Sequence, residues 1–127
     1  MNNSVVGLDI AKNIFHFYRL SMDGKVTKKK LKRAELVNFF ANHPVSLIGI
    51  EACGGAHYWA RELTKLGHEV VLLNARYVKG FVVGNKTDFN DAQAIHEAVS
   101  RPNKRVVRVT IRYAIVAQYQ AIGTENL

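Results

Sequence analysis

Val45-Ser46-Leu47-Ile48-Gly49-Ile50 is an apolar run that ends at an acid, Glu51. A run of this length without alternating polar residues is typical of a strand buried on both faces of a parallel sheet. Residues 56–66 then place apolar side chains on one helical face, and Gly67 favours the end of that helix. Residues 68–73 form the next apolar run. This strand–helix–strand order is a βαβ unit and predicts an α/β fold.

Three more strands are predicted before this unit. Residues 5–10 are a second apolar run that contains an acid, Asp9. Residues 14–20 are rich in aromatic side chains, and residues 25–31 follow an Asp-Gly turn signal and carry basic residues at outward positions. We therefore predict a three-stranded antiparallel meander. A helix over residues 34–42 connects it to the βαβ unit.

The rest of the chain is predicted less completely. Residues 74–84 are a mixed segment that can hold a short helix, and an acidic helix then runs to about Ser100. Residues 104–109 alternate basic and apolar side chains, which is typical of an edge strand. Residues 110–127 show no decisive pattern. The chain contains no internal repeat or linker, so a single domain is expected.

Composition limits the classes of function. The 127 residues suit one domain with a core, and 48% hydrophobic and 22% charged residues are ordinary for a globular protein. No apolar run reaches the roughly 18 residues of a membrane span, and the first residues lack a signal peptide's basic region. The single cysteine, Cys53, makes no internal disulfide, so a reducing cytoplasm is expected. A net charge of +8 favours a polyanionic partner, nucleic acid first.

Four carboxylates are expected to meet at one edge of the sheet. Asp9 and Glu51 end predicted strands, and Asp88 and Asp91 stand where the acidic helix begins. Parallel strands direct their carboxyl ends to a shared crevice. Each pair of carboxylates ~4 Å apart costs roughly 4 kcal/mol at an effective dielectric constant near 20, so the cluster needs cations. Oxygen ligands favour Mg²⁺ or Mn²⁺, and two such ions about 3.5–4 Å apart suit displacement at phosphorus.

Each acid also has a structural interpretation. Asp88 followed by Asp91 fits an N-cap residue and an acid at N3, both of which stabilise a helix start. Asp9 fits a turn, and Glu51 fits a strand end. Taken singly, each acid is more readily explained by such a structural role. Only the occurrence of all of them together favours metal binding. His57, beside the Gly54-Gly55 loop, is a weaker candidate for assisting catalysis and is more readily explained as a surface residue.

Three separated motifs, in order, resemble one family. The chain resembles the N-terminal RuvC-like domain of the DEDD-type insertion-sequence transposases, relatives of the Piv site-specific DNA invertase, over about residues 4–109. The resemblance implies an RNase H-like (RuvC-like) α/β fold, in which a mixed sheet of a three-stranded antiparallel meander plus parallel strands is flanked by helices. Asn74-Ala75-Arg76-Tyr77-Val78-Lys79 also resembles the segment before the family's final acids. The three motifs are Gly7-Leu8-Asp9-Ile10-Ala11-Lys12, Gly49-Ile50-Glu51-Ala52-Cys53-Gly54 and Asn85-Lys86-Thr87-Asp88-Phe89-Asn90-Asp91-Ala92.

The resemblance also implies a site and partners. Asp9, Glu51, Asp88 and Asp91 would be the catalytic, metal-binding tetrad for two Mg²⁺ or Mn²⁺ ions. DNA, a structured guide RNA and a further copy of the chain would be the partners, in a prokaryotic cytoplasm. Among basic candidates for nucleic-acid contacts, the first two named here lie nearest the acids in sequence. The candidates are Lys12, Lys86, Arg76, Lys79, Lys28, Lys29, Lys30, Lys32 and Arg33.

The predicted function is that of a truncated transposase or recombinase domain. Residues 1–109 would be the RuvC-like DEDD domain, and residues 110–127 an atypical tail, without the serine-bearing C-terminal domain of the family. The domain would bind divalent metal and nucleic acid for strand cleavage and transfer during transposition. One alternative is a non-catalytic remnant that binds nucleic acid or oligomerises. Another is an actin-like ATPase fragment, although Ala11-Lys12-Asn13 does not supply the phosphate hairpin of that class.

Overall fold

A mixed β-sheet with helices on both faces is the frame of the chain in a computed structural model that describes residues 4–84 and 89–110. The strands are β1 (Ser4–Asp9), β2 (Ile14–Leu20), β3 (Val26–Lys32), β4 (Ser46–Glu51), β5 (Glu69–Leu73) and β6 (Val106–Val107). The helices are α1 (Leu36–Ala41), α2 (Ala56–Lys65), α3 (Ala75–Lys79) and α4 (Asn90–Ser100), with a 3₁₀ turn at Arg33–Glu35 before α1.

The sheet has the order β3-β2-β1-β4-β5-β6. β1, β2 and β3 form an antiparallel meander, β4 and β5 run parallel to β1, and β6 is antiparallel to β5 at the edge. Both the meander and the βαβ unit are therefore confirmed, and the predicted fold class is correct. The parallel half forms because the β4 and β5 runs are apolar enough to be covered on both faces.

Side chains alternate between two cores on either side of the sheet. Val6 and Leu8 of β1 and Ile48 and Ile50 of β4 face α1 and α2, where they join the larger apolar cluster. The other strand positions face α3 and α4, where a second cluster forms. That second cluster contains Leu73, Val78, Ala94, Ile95, Ala98 and Val99.

Two glycines let α4 lie unusually close to the sheet. A Cβ atom on Gly7 would stand 2.2 Å from the Ala92 carbonyl oxygen and 2.5 Å from the His96 backbone nitrogen. A Cβ atom on Gly49 would stand 2.7 Å from Cβ of Val99. Since atoms cannot approach so closely, only glycine permits this packing at either position.

Several predicted boundaries need small corrections. The helix predicted over residues 34–42 begins instead as the 3₁₀ turn, and α1 covers only Leu36–Ala41. The edge strand predicted over residues 104–109 pairs only at Val106–Val107. Predicted strand ends elsewhere differ by at most one residue, because hydrophobic runs do not mark where pairing stops. The tail assigned to residues 110–127 lies outside the described residues, except Thr110.

No helix in the described part of the chain has the length and apolar character needed to cross a bilayer.

Candidate metal and nucleic-acid site

Asp9 and Glu51 end two neighbouring parallel strands. The register places Leu8 beside Ile50, so the two acids that follow occupy adjacent positions at one edge of the sheet. Each acid comes two residues after a glycine that packs against α4. Because side chains alternate along a strand, both carboxylates project toward the α4 side. The sequence prediction that strand ends gather these two acids is consistent with this topology.

Asp91 reaches the same edge from the first turn of α4. Asp91 and Glu51 line one cleft, and the charge of Asp91 acts on Glu51. The predicted arrangement of an N-cap acid followed by an N3 acid is wrong, because α4 begins at Asn90 and Phe89 takes the N-cap position. Asp88, the fourth predicted acid, lies outside the described residues.

The cleft has a volume of about 360 Å³, and α3 supplies its basic wall. Arg76 and Lys79, three residues apart on α3, line it together with the two acids. Asn74 begins α3 by accepting a hydrogen bond from the Tyr77 backbone N–H at 3.2 Å. The Tyr77 hydroxyl donates to the Ala98 carbonyl oxygen at 3.2 Å, which docks α3 on α4. These contacts hold Arg76 and Lys79 beside the two carboxylates.

The surroundings of Glu51 disfavour its ionised form. Burial raises the pKa of Glu51, the negative charge of Asp91 raises it further, and the ammonium group of Lys79 partly offsets both effects. A bound cation would reverse this cost, and carboxylate oxygens are the donors that Mg²⁺ and Mn²⁺ prefer. The chemistry of the residues present therefore fits a hard divalent ion.

The described residues do not by themselves complete a metal site. Within residues 4–84 and 89–110, no three His, Cys, Asp or Glu side chains are close enough together to hold an ion. Asp9 is already engaged in an interaction with another group. Since Asp88 lies outside that part of the chain, the four-acid set of Asp9, Glu51, Asp88 and Asp91 stays a prediction.

The structure separates the predicted basic contacts by location. Arg76 and Lys79 stand in the cleft with the acids, and Lys12 is exposed in the turn after β1. Lys86 lies outside the described residues. The remaining candidates, on or just after β3, divide between its two faces. Lys28, Lys30 and Lys32 alternate with Lys29, and Arg33 follows the strand.

Sequence reasoning missed the features that bring α4 to the sheet. The available signal was the glycine two residues before each strand-end acid, Gly7 before Asp9 and Gly49 before Glu51.

His57, named as a weak catalytic candidate, instead accepts a hydrogen bond through Nδ1 from the Thr110 backbone N–H at 2.9 Å. Arg61 donates to the Thr110 carbonyl oxygen at 2.6 Å, so α2 holds the chain after β6.

Comparison with known proteins identifies the family. A family model described as "Transposase", for DEDD transposases of the IS110 type, matches residues 6–118. The "Probable family 20 transposase" of Pseudomonas aeruginosa is 48% identical over 110 residues, 86% of this chain and 32% of the relative. The transposase for insertion sequence element IS1328 of Yersinia enterocolitica is 40% identical over 107 residues, 84% of this chain and 32% of the relative.

A third relative, the transposase for insertion sequence element IS1111A of Coxiella burnetii, is 41% identical over 105 residues, 82% of this chain and 29% of the relative. The chain thus spans about a third of the length of the curated relatives it matches. The family match covers most of the chain, including Asp9, Glu51 and Asp91. The chain belongs to the DEDD-type transposases of insertion sequences.

Proposed function

We propose that this domain binds Mg²⁺ or Mn²⁺ through its acidic residues and uses the ions to cut and join DNA strands during transposition. The observation that carries the proposal is the Glu51–Asp91 pair in a cleft that also presents Arg76 and Lys79. Such a cleft offers ligands for a cation and donors for a phosphate side by side. Membership of a transposase family favours this function over the ATPase alternative.

The chain's own residues divide the proposed task. Asp9, Glu51, Asp88 and Asp91 would hold the ions, one or two of which supply the positive charge that phosphodiester displacement requires. Arg76 would bind a phosphate with its planar guanidinium, and Lys79 would act as a point charge beside it. The α4 helix would keep Asp91 at the sheet edge, because it packs closely against Gly7 of β1 and Gly49 of β4.

The family resemblance adds further partners to the proposal. A serine-bearing domain, a structured guide RNA and a second copy of the chain are proposed from the family resemblance. They would act together with this domain in complete strand exchange. The cleft described above is the part of that assembly that this chain contributes.

Calorimetric titration with Mn²⁺ tests the site. Wild-type protein should bind the ion, and Asp91→Asn should weaken binding by tenfold or more, because one carboxylate ligand is lost. The matched control is Glu62→Gln, which removes the same charge from α2 on the other face of the sheet, where Glu62 pairs with Lys65 at 2.9 Å. The proposal fails if Asp91→Asn and Glu62→Gln bind Mn²⁺ equally well.

A nicking assay tests the chemistry. Wild-type protein should nick branched DNA when Mg²⁺ is present, and Asp91→Asn should not. Binding of the DNA without any metal-dependent cleavage would instead identify the chain as a non-catalytic nucleic-acid-binding module.

A further inference from the structure

We propose that the bound DNA strand extends from the acidic site toward β3 and is held there by Lys28 and Lys30 on the α4 face, while Lys29 and Arg33 take no part. The inference rests on the proposed function, because it assigns a path to the DNA which that function requires. It divides a basic segment that looks uniform in sequence into a binding face and a non-binding face.

Strand register places Lys30 in line with the acids. Lys30 of β3 stands opposite His16 of β2, and His16 stands opposite Asp9 of β1. Residues directly opposite each other on neighbouring strands project from the same face of a sheet. Lys30, His16, Asp9 and Glu51 therefore form one row across four strands, on the side where α4 packs.

Lys28 belongs to the same face. It stands opposite Tyr18, whose ring meets that of His96 on α4 at 5.3 Å between centroids. The Lys28 ammonium nitrogen lies 5.6 Å from the centre of the Phe89 ring, directly before α4. Phe89 also meets His16 edge to face at 5.0 Å. Lys28 is thus held next to the His16 row by aromatic contacts.

Lys29 and Arg33 lie against the opposite face. The Lys29 ammonium nitrogen is 5.8 Å from the centre of the Phe39 ring of α1. The Arg33 guanidinium carbon is 5.2 Å from the centre of the Trp59 ring of α2. Both aromatic rings belong to the core on the α1 and α2 side. A strand of DNA at the acids cannot contact these two cations without passing around the edge of the sheet.

The row also sets a length for the contact. From Glu51 on β4 to Lys30 on β3 there are three strand spacings, or about 14 Å at ~4.8 Å each. One DNA strand has a phosphate every ~3.4 Å along the helix axis, so a strand that runs beside the row would place several phosphates between its two ends. Cations in the cleft on one side of the acids and on β3 on the other would hold the strand on both sides of the reacting phosphate.

Two double variants with equal charge test the proposal. Lys28→Gln with Lys30→Gln removes two charges from the α4 face, and Lys29→Gln with Arg33→Gln removes two from the other face. Binding of a fluorescent duplex DNA of random sequence is measured by anisotropy at several salt concentrations, both in EDTA and in Mn²⁺. Circular dichroism checks folding, and the single variants Lys30→Gln and Lys29→Gln repeat the comparison with less disturbance.

The proposal expects the first double variant to lower the salt slope by about two and to weaken binding at least tenfold at about 0.1 M salt. The second should stay within about twofold of wild type. Equal losses in both doubles, or no loss in the first, would overturn the path while leaving the metal site intact. The same anisotropy measurement is made with a fluorescent duplex RNA, and a loss confined to RNA binding would overturn the assignment to DNA. Failure of the wild type to bind DNA, or to bind Mn²⁺ in the titration above, would instead remove the proposed function itself.

Discussion

On the face covered by α1 and α2, the strands carry large apolar side chains, such as Phe15, Phe17 and Ile48, which are fully buried. On the face covered by α4, the central strands β1 and β4 carry Gly7 and Gly49. The first face gains stability from apolar area removed from water. The second gives up side-chain volume so that a helix can deliver Asp91 to the strand-end acids. One sheet thus carries its main core on one face and its candidate site on the other.

The largest expected effect comes from filling the closest approach on the α4 face. Gly7→Ala would place a methyl group 2.2 Å from the Ala92 carbonyl oxygen, which is backbone and cannot rotate away. We expect a loss of about 3 kcal/mol or more in the free energy of unfolding, at or beyond the upper range for overpacking. Urea denaturation followed by circular dichroism measures it.

Two other glycines provide the matched series for this prediction. Gly49→Ala meets the side chain of Val99 rather than backbone and should cost about 1–3 kcal/mol. Gly54→Ala meets nothing within 4 Å and should change stability by about 0.5 kcal/mol at most. If Gly7→Ala were as stable as Gly54→Ala, α4 would not lie against β1 as described.

The second prediction compares one histidine on each face. Burial lowers the pKa of His96 on the α4 side, and burial is also the largest cause of the lowered pKa of His43 on the α1 side. A lowered pKa means that the unfolded chain takes up the proton first. Stability is therefore complete above the unfolded value of about 6.5 and falls as the pH drops below it.

Urea denaturation at a series of pH values measures that loss. His96→Gln and His43→Gln should each make stability less dependent on pH between about 6.5 and the lower folded value. If only one variant makes the free energy of unfolding less dependent on pH, only the histidine replaced in that variant is kept neutral by burial. An unchanged curve in both would show that neither histidine is buried as neutral.

The smallest expected effect concerns Glu51. Because its pKa is raised first by burial and then by Asp91, its ionised form is less favourable in the folded state than in the unfolded chain. Glu51→Gln should thus stabilise the domain at neutral pH, by at most about 1 kcal/mol since the group is partly exposed to solvent. The gain should disappear below the ordinary glutamate pKa of about 4.3, where both states of the wild type are protonated.

Adding Mn²⁺ provides the control for this effect. The ion should stabilise the wild-type protein more than Glu51→Gln, because it binds the folded carboxylate. Destabilisation by Glu51→Gln at neutral pH without metal would show that another group already compensates the charge.

Much of the fold followed from local pattern. The apolar runs that became β4 and β5, the Asp-Gly turn before β3 and the amphipathic repeat of α2 each lie where the sequence predicted them. These signals are local, because strand and helix periodicity act over a few residues. The edge strand was predicted, but its shortening to the two-residue β6 and the 3₁₀ start before α1 were not, since pairing partners and caps decide where an element ends.

The candidate site was predictable in its residue types and less so in its arrangement. Asp9 and Glu51 could be placed at one edge because both end strands of a parallel pair. The split of the β3 cations between two faces was not predictable without the register, since a shift of one residue would exchange Lys29 with Lys28 and Lys30. Likewise, nearness in sequence to the acids favours Lys12, while the structure places Arg76 and Lys79 in the cleft.

By itself, the sequence determined the order of strands and helices, the acids at the strand ends and the excess of positive charge. Hydrophobic periodicity and composition are properties of the sequence that do not depend on tertiary contacts. Tertiary structure alone decided that α4 packs against Gly7 and Gly49, that Glu51 shares a cleft with Asp91, and that Lys28 and Lys29 face opposite sides. Those outcomes depend on contacts between residues far apart in the chain, and register and packing distance fix them only when the sheet has formed.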